Sequence, residues 1–306
     1  MPLVTSKDLL ARAAREGYAI GAFNANNMEM VQAIVETAEE ERAPVIVQIS
    51  QGAINYAGAD YFAALVKVAA QGASVPVVLH LDHGMDLRIN VQCLRAGFTS
   101  LMFDGSKLPF AENAAITRQV VEVAHMVGVP VEGEIGKVPT TEGEAVPYEK
   151  LRQFFTKPEE AAEFLHASGV DSLAVSVGSA HKMKVQEAIL DIERIAAIRE
   201  AVQIPLVLHG ASGVKDDQIP AAVKAGIAKI NVATELGKAY TAEIKRAFAA
   251  DPAEVDLRKY TAPARAAVKE VVREKIRLFG SQGKAPAVFV DRGAWSKAEI
   301  MREAPE

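Results

Sequence analysis

The stretch PVVLHLDH at residues 76–83 shows the pattern that decides the fold. Its apolar run predicts a buried β-strand over 76–82, which begins at a proline, a residue that the first position of a strand tolerates. A helical stretch follows over 86–96 and ends before Gly97, and the next apolar run begins at residue 99. Glycine directly after the last helical residue is a common end of a helix. The segment therefore predicts one strand–helix unit with polar residues where the strand ends.

The same unit recurs along the whole chain. Apolar runs predict strands over residues 19–24, 44–49, 76–82, 99–104, 130–135, 171–177, 205–209 and 228–232. The predicted helices cover 27–41, 59–72, 86–96, 110–128, 158–168, 191–203, 215–225, 234–249 and 261–279. An open doubly wound sheet also fits this alternation, but eight units and the absence of a GxGxxG motif after the first strand favour a closed parallel barrel. We therefore predict the α/β class, with a single (β/α)8 TIM barrel, a C-terminal helix and a short tail extension.

The composition excludes several classes of function. With 34 Lys and Arg against 39 Asp and Glu, the net charge of −5 provides no basic surface for nucleic acid or an anionic membrane. Half of the residues (50%) are hydrophobic, which is enough for a large core, yet no run approaches the roughly 18 apolar residues of a membrane span. The single cysteine, Cys93, can form no disulfide within the chain, and the N-terminus lacks a signal-peptide core. We expect a soluble cytoplasmic protein that binds neither nucleic acid nor membranes.

Polar side chains stand where the predicted strands end, and a barrel carries its active site at that end. They are Asn24, Gln48, Ser50, Asp82, His83, Asp104, Glu132, Glu134, His209 and Asn231, with His181 after the sixth strand. His83, His181 and His209 are far apart in the sequence, but the barrel would bring them to one rim. Three imidazoles there can hold a divalent transition metal and leave positions open for a substrate. His80, inside the third strand, is expected to be a hydrogen-bonded core histidine.

Two loops predict a phosphate site. GASG at 210–213 follows the seventh strand, and NVAT at 231–234 leads from the eighth strand into a helix. Barrels often hold phosphate with these two loops and a helix N-terminus, where free N–H groups and the helix dipole favour an anion. GASG alone is equally explained as a flexible turn. Both loops together favour a phosphorylated substrate.

Short motifs in family order carry a resemblance to a known family. They are YAIGAFN (18–24), LDH (81–83), MFDGSKLPF (102–110), VEGEIG (131–136), PLVLHGASG (205–213), KINVATEL (229–236) and FGS (279–281). The sequence resembles the class II, metal-dependent ketose-bisphosphate aldolases, in the branch of tagatose- and many bacterial fructose-bisphosphate aldolases. The resemblance covers about residues 1–284, which we expect to form the barrel domain, and it leaves 285–306 as a C-terminal extension.

The resemblance implies roles for individual residues. The metal ligands would be His83, His181 and His209, with Asp104 and Glu134 lining an alternative metal position. Asp82 would transfer the C4 hydroxyl proton, Glu142 the carbon-bound proton, and Asn231 would donate hydrogen bonds to the enediolate. Substrate and phosphate contacts would come from Asn24, Ser50, Lys182, Gly210, Ala211, Ser212, Asn231, Ala233 and Thr234. The implied cofactor is one Zn²⁺ per subunit, with Na⁺ or K⁺ commonly nearby, and the implied assembly is a homodimer or homotetramer.

The sequence departs from the family pattern close to the substrate. Lys182 stands where the family usually has glycine after its second metal histidine, and PTTEG at 139–143 stands where the lid usually reads GGxED. Ala233 stands where fructose-specific relatives often carry aspartate. We expect zinc-dependent cleavage of fructose and tagatose 1,6-bisphosphate to dihydroxyacetone phosphate and an aldehyde such as glyceraldehyde 3-phosphate. The alternative is a different phosphorylated keto-sugar, such as 5-dehydro-2-deoxygluconate 6-phosphate.

Three other functions compete with this one. A Schiff-base aldolase needs a lysine inside the barrel; Lys229 on the eighth strand is the candidate, although we expect it on the outer face or the rim. A metal-dependent phosphosugar epimerase also uses His and Asp on barrel strands. A catalytically idle phosphosugar-binding subunit would share the fold but has no need of Asp82 and Glu142. Borohydride trapping would identify the first, and release of a triose would exclude the second.

Overall fold

A computed structural model describes residues 3–140, 147–181, 183 and 186–286 of the chain. It contains β1 (Ile20–Asn24), β2 (Val45–Ser50), β3 (Val77–Asp82), β4 (Leu101–Phe103), β5 (Val131–Ile135), β6 (Ser172–Val175), β7 (Leu206–Leu208) and β8 (Ile227–Val232). Each strand lies within, or one residue beyond, the apolar run that predicts it. At β4 and β6 the strand is shorter than the apolar run that predicts it, and the last residues of the run belong to the following loop.

The strands form one parallel barrel. Their order is β3-β2-β1-β8-β7-β6-β5-β4, so chain neighbours are also neighbours in the sheet. The two ends of this order meet through bridges between His80 and Ser100 and between Gly84 and Phe103. Backbone hydrogen bonds support this seam, from the Leu81 nitrogen to the Ser100 oxygen (3.0 Å) among others. The prediction of a barrel is confirmed, and the open sheet is excluded.

Helices surround the barrel in the predicted places. They are α1 (Lys7–Glu16), α2 (Met28–Glu40), α3 (Gln51–Ala57), α4 (Ala59–Gly72), α5 (Leu87–Ala96), α6 (Phe110–His125), α7 (Tyr148–Arg152), α8 (Pro158–Ser168), α9 (Ile192–Val202), α10 (Ile219–Ala225), α11 (Thr234–Ala250) and α12 (Leu257–Leu278). Neither α3, with 7 residues, nor α7, with 5, is among the predicted helices, because so few residues show no periodic pattern. The sequence-predicted helix at 261–279 begins earlier, because the Asp256 carboxylate accepts from the Arg258 nitrogen and caps α12.

The amino end of the barrel is filled with apolar side chains. Leu10 and Ala13 of α1 pack against Ile20, Ile46 and Val78 from three neighbouring strands, and all five are buried. This packing closes one mouth of the barrel, so only the other mouth, at the carboxyl ends of the strands, can admit a substrate.

The C-terminal helices pack on one side of the barrel. Helix α12 lies against α11, α2 and β1. After it, the Ala285 nitrogen donates to the Arg42 oxygen at 2.9 Å. Most of the expected extension, residues 287–306, lies outside the described residues. Among the residues that are described, no helix combines the length and the apolar character that crossing a membrane requires.

Candidate active site

Alternation along the strands carries polar side chains into the barrel. Residues two apart on a strand point to the same face. Glu132 and Glu134 of β5 therefore point the same way, as do Lys229 and Asn231 of β8, and all four are at most 8% exposed. The polar interior begins above the apolar plug of α1 and continues to the open mouth.

The three candidate histidines meet at this mouth. Ligand atoms of His83, His181 and His209 lie within 4.8 Å of one another. The ring centres of His83 and His209 are 4.7 Å apart, and those of His83 and His181 are 5.1 Å apart. The structure thus brings together residues that are separated by up to 126 positions in the sequence. Three imidazole nitrogens at such distances suit a tetrahedral transition metal with a fourth position for a substrate.

Hydrogen bonds donated to carboxylates orient two of these rings. His209 donates from Nε2 to Glu132 Oε1 at 2.9 Å, and His83 donates from Nδ1 to Asp104 Oδ2 at 2.7 Å. The remaining nitrogens, His209 Nδ1 and His83 Nε2, face each other at 3.2 Å. A carboxylate that accepts from one ring nitrogen leaves the lone pair of the other available for a metal.

Acidic side chains give the site a charge that favours a cation. His83, Asp104 and Glu134 form a second group whose potential ligand atoms lie within 4.8 Å of one another. Burial, and then the charge of Asp104, raise the pKa of Glu134 to about 8. Its Oε2 atom is buried without a hydrogen-bond partner and lies 3.5 Å from His209 Nδ1. A buried carboxylate oxygen without a partner is costly, and a metal ion would satisfy it, so these residues fit a divalent metal.

Asp82 lies beside the histidines in a network of amides. Asn24 donates to its Oδ2 at 2.8 Å, and Asn231 donates to its Oδ1 at 3.2 Å. Gln48 in turn donates to the Asn24 oxygen at 2.6 Å. Burial would raise the pKa of Asp82, but the charges of His83 and His209 outweigh it, so the net shift is downward. The structure therefore holds Asp82 as an oriented carboxylate that can accept a proton.

The two predicted phosphate loops lie beside this network. Residues Ala211–Gly213 form a single 3₁₀ turn after β7, and Thr234 begins α11, a helix of 17 residues with Ala233 as its N-cap. Gly210 has φ +65°, and a Cβ there would lie 2.7 Å from the carbonyl of Ala180. Only glycine lets the loops after β6 and β7 approach this closely. Ser212 is buried, whereas Ala233 is exposed.

Three further predicted site residues are Ser50, Glu142 and Lys182. Ser50 ends β2, and its hydroxyl accepts from the Ala53 nitrogen at 3.2 Å, so it caps α3. Glu142 and Lys182 lie outside the described residues. The described parts on either side of them meet, since the His181 nitrogen donates to the Pro139 oxygen at 2.8 Å. Pro139, three residues before Glu142, therefore lies next to His181, the second of the three candidate metal histidines.

The expectation for Lys229 is wrong, because this side chain lies inside the barrel. It is 1% exposed and donates to Glu132 Oε2 at 2.7 Å and to His80 Nε2 at 3.2 Å. An ammonium paired with a carboxylate carries no free lone pair, so it is poorly prepared to form a Schiff base. His80 also bonds Ser100 at 2.8 Å, and the prediction of a hydrogen-bonded core histidine is confirmed.

Glu132, Gln48 and Lys229 form the network behind the site, a role that was predicted for none of them. Gln48 and Glu132 were predicted only to stand at strand ends, and Lys229 was expected on the outer face or the rim of the barrel. Each was detectable from the period of two along a strand. Gln48 lies two before Ser50, Glu132 two before Glu134, and Lys229 two before Asn231. Because the second member of each pair stands at the rim, the first must lie one layer deeper on the same inner face.

Comparison with known proteins decides between the remaining functions. The pattern of the class-II fructose-bisphosphate aldolases matches residues 4–284. The chain belongs to the class-II fructose-bisphosphate aldolase family. It is 43% identical to a fructose-bisphosphate aldolase of Thermus caldophilus, over 92% of this chain and 100% of the relative.

Solved structures agree with this class-II aldolase assignment. The YdjI aldolase from Escherichia coli K12 is 37% identical with a TM-score of 0.80, covering 93% of this chain and 100% of that one. A putative fructose-1,6-bisphosphate aldolase from Coccidioides immitis is 30% identical with a TM-score of 0.79, covering 90% of this chain and 96% of that one. The class-II aldolase is therefore a metal-dependent lyase that acts on phosphorylated sugars, and the epimerase and the idle subunit are set aside.

Proposed function

We propose that this class-II aldolase uses Zn²⁺ to cleave and form fructose and tagatose 1,6-bisphosphate, with dihydroxyacetone phosphate and glyceraldehyde 3-phosphate as the partners. The observation that carries the proposal is the convergence of three histidines and a hydrogen-bonded aspartate beside two phosphate loops. A metal alone would allow many reactions. The aspartate and the anion loops together limit them to proton transfer on a phosphorylated substrate.

In this proposal His83, His181 and His209 hold the metal, and Asp104 and Glu134 line its second position. When bound, the metal supplies Lewis-acid chemistry that polarises a substrate carbonyl and stabilises negative charge on oxygen. The unpaired Glu134 Oε2 and the two ring nitrogens 3.2 Å apart support this assignment. Zn²⁺ is preferred because three imidazoles with an open fourth position are typical of catalytic zinc. Na⁺ or K⁺ near the phosphate loops is proposed on the resemblance alone.

Asp82 is the proposed proton acceptor in cleavage. Its carboxylate takes the proton from the C4 hydroxyl, and returns it to the aldehyde oxygen in condensation. Asn24 and Asn231 keep the carboxylate oriented, at 2.8 and 3.2 Å. Asn231 also donates toward the oxygen on which negative charge develops. Glu142 is proposed to move the proton on the dihydroxyacetone carbon.

The phosphate of dihydroxyacetone phosphate is assigned to Gly210, Ala211, Ser212, Ala233 and Thr234, and the substrate's other end to Ser50. The N-terminus of α11 supports this, since its free N–H groups and dipole favour an anion. Lys182 would add a positive charge near that phosphate. Lys182, together with Ala233 in place of the family's aspartate, supports acceptance of both fructose and tagatose 1,6-bisphosphate.

The expected assembly is a homodimer or homotetramer. Two apolar side chains near the start of α12 are largely exposed, Val255 by 87% and Leu257 by 64%. Their exposure supports a contact with another subunit at this place. The proposed domain division is a barrel over 1–284 and an extension over 285–306. The proposed location is the cytoplasm, and the fully buried single cysteine, Cys93, supports a reduced compartment.

The test is condensation by the zinc-loaded enzyme of dihydroxyacetone phosphate with a panel of aldehydes, each product being identified. When glyceraldehyde 3-phosphate is the aldehyde, we expect fructose and tagatose 1,6-bisphosphate as the products. His209→Ala should abolish the reaction, and His166→Ala, an exposed histidine of α8, is the matched control. Lys182→Gly compared by kcat/KM on both sugars tests the specificity. Equal values would show that Lys182 plays no part, and rejection of tagatose 1,6-bisphosphate by the wild type would refute the dual specificity.

A further inference from the structure

A buried lysine behind the phosphate loops has no role in the reaction described so far. Lys275 lies in the last part of α12, and its side chain is only 8% exposed. Its Nζ atom lies 3.1 Å from Asp216 Oδ1 and 3.1 Å from Glu235 Oε2. Ala211 and Val232 line the same recess. One cation thus joins three separate parts of the chain at a single point.

Its two partners belong to the two elements that form the proposed phosphate site. Glu235 is the second residue of α11, next to Thr234 at the N-terminus. Asp216 begins the turn after the Ala211–Gly213 loop. Lys275 therefore connects the loop after β7 to the helix after β8 from below. Their spacing determines whether both sets of N–H groups can reach one phosphate.

The charges show why a cation is needed there. Glu235 places a carboxylate in the first turn of the helix whose N-terminus would bind an anion. Burial, which outweighs the effect of Lys275, raises the pKa of Glu235, so solvent does little to screen this group. Without Lys275, the partly buried carboxylate of Glu235 would remain unpaired beside a phosphate dianion, and the two negative charges would repel each other. The side chain of Asp216 is 55% exposed, so solvent screens its charge more effectively.

We propose that Lys275 is a positioning residue for the substrate phosphate, which fixes the spacing of the two phosphate loops and neutralises Glu235 beside them. The inference rests on the proposed function, because it needs the phosphate to bind at these loops. Lys275 itself lies beneath the loops and would not touch the substrate.

The test compares donors with and without phosphate. In Lys275→Met, we expect the KM for dihydroxyacetone phosphate to rise about tenfold, about 1.4 kcal/mol, while kcat changes less than about threefold. Activity with unphosphorylated dihydroxyacetone should stay near that of the wild type. The Kd of inorganic phosphate, measured by calorimetry, should rise by the same factor as the KM. Lys275→Arg should restore most of the binding, and so should the double variant Lys275→Met/Glu235→Gln.

The matched control is Lys269→Met, on the same helix. Lys269 also pairs with two glutamates, Glu36 and Glu40, but on the side of α2, away from the phosphate loops. It should lower the free energy of unfolding without changing the KM for dihydroxyacetone phosphate.

The outcomes separate this inference from the proposed function. If the wild type binds phosphate and Lys275→Met binds it equally well, the role of Lys275 is refuted and the proposed function stands. Equal losses with both donors, without recovery in the double variant, would show a general structural role and refute the positioning role. If the wild type does not distinguish the two donors, the proposed phosphate site fails and this inference fails with it.

Discussion

Replacing Glu132 with glutamine should weaken metal binding, although Glu132 is not a proposed ligand. The carboxylate is 2% exposed and accepts from Lys229 at 2.7 Å and from His209 at 2.9 Å. Glutamine keeps the volume but cannot balance the charge of Lys229, and its NH₂ group must face one of the two donors. Breaking a buried ion pair costs about 3–5 kcal/mol of unfolding free energy. Loss of the partner that orients a metal-binding histidine costs about 10–100-fold in metal affinity.

Two measurements check these magnitudes. Competition with a chromophoric chelator gives the Kd of Zn²⁺, and urea denaturation of the metal-free protein gives the free energy of unfolding. Glu122→Gln is the control, because Glu122 pairs with Arg118 on the surface of α6 and should change stability by about 0.5 kcal/mol at most. The double variant Glu132→Gln/Lys229→Met should recover part of the stability but none of the metal affinity. A Zn²⁺ Kd within twofold of the wild type in a folded Glu132→Gln protein would refute the reasoning.

Three further outcomes are expected. Removing metal with a chelator should abolish activity, and Zn²⁺ or Co²⁺ should restore it; full activity of a metal-free preparation would contradict this. Asp82→Ala should keep its metal but lower kcat for cleavage by about 10²–10⁴-fold, the usual loss of general acid–base catalysis, as a steady-state assay with metal analysis will show. Gly210→Ala should lose at least about 1–2 kcal/mol of unfolding free energy, because its φ is +65° and a Cβ would lie 2.7 Å from the Ala180 carbonyl. Gly72→Ala, with nothing within 4 Å of its Cβ position, is the control, and equal urea midpoints would refute the argument.

The strands were predictable because particular residue types mark where each strand begins and ends. Proline at residues 44, 76, 130 and 205 directly precedes β2, β3, β5 and β7. Apolar runs between these prolines and the rim residues follow from burial on both faces. The short helices α3 and α7 were not predicted because so few residues show no periodic pattern, and α7 has no side-chain cap that would mark its start. The hydroxyl of Ser50 caps α3, and no periodic pattern of 7 residues could have indicated it.

At the site, the sequence indicated which residues meet but not how they are layered. His83, His181 and His209 could be placed on one rim because each follows a strand. The predicted position of Lys229 was wrong because a lysine considered without its neighbours is typical of a solvent-exposed face. Its neighbour two residues later, Asn231, carried the needed information. The ring nitrogens that His209 and His83 present depend on their hydrogen bonds to Glu132 and Asp104. Such contacts cannot be obtained from spacing along the chain.

The seam between β3 and β4 makes the barrel depend on what the rim binds. Elsewhere, neighbouring strands share ladders of paired residues, but these two meet through isolated bridges at His80 and Gly84. The His83–Asp104 bond, 2.7 Å long, crosses this seam at its open end. A cation held by both side chains would add a further connection between the two strands at the open end of this seam. A metal ion present at a free concentration of 100 times its Kd adds about 2.7 kcal/mol to the free energy of unfolding. The metal-free enzyme would lack this connection at the catalytic rim, so we expect loss of the metal and susceptibility to proteolysis to rise together.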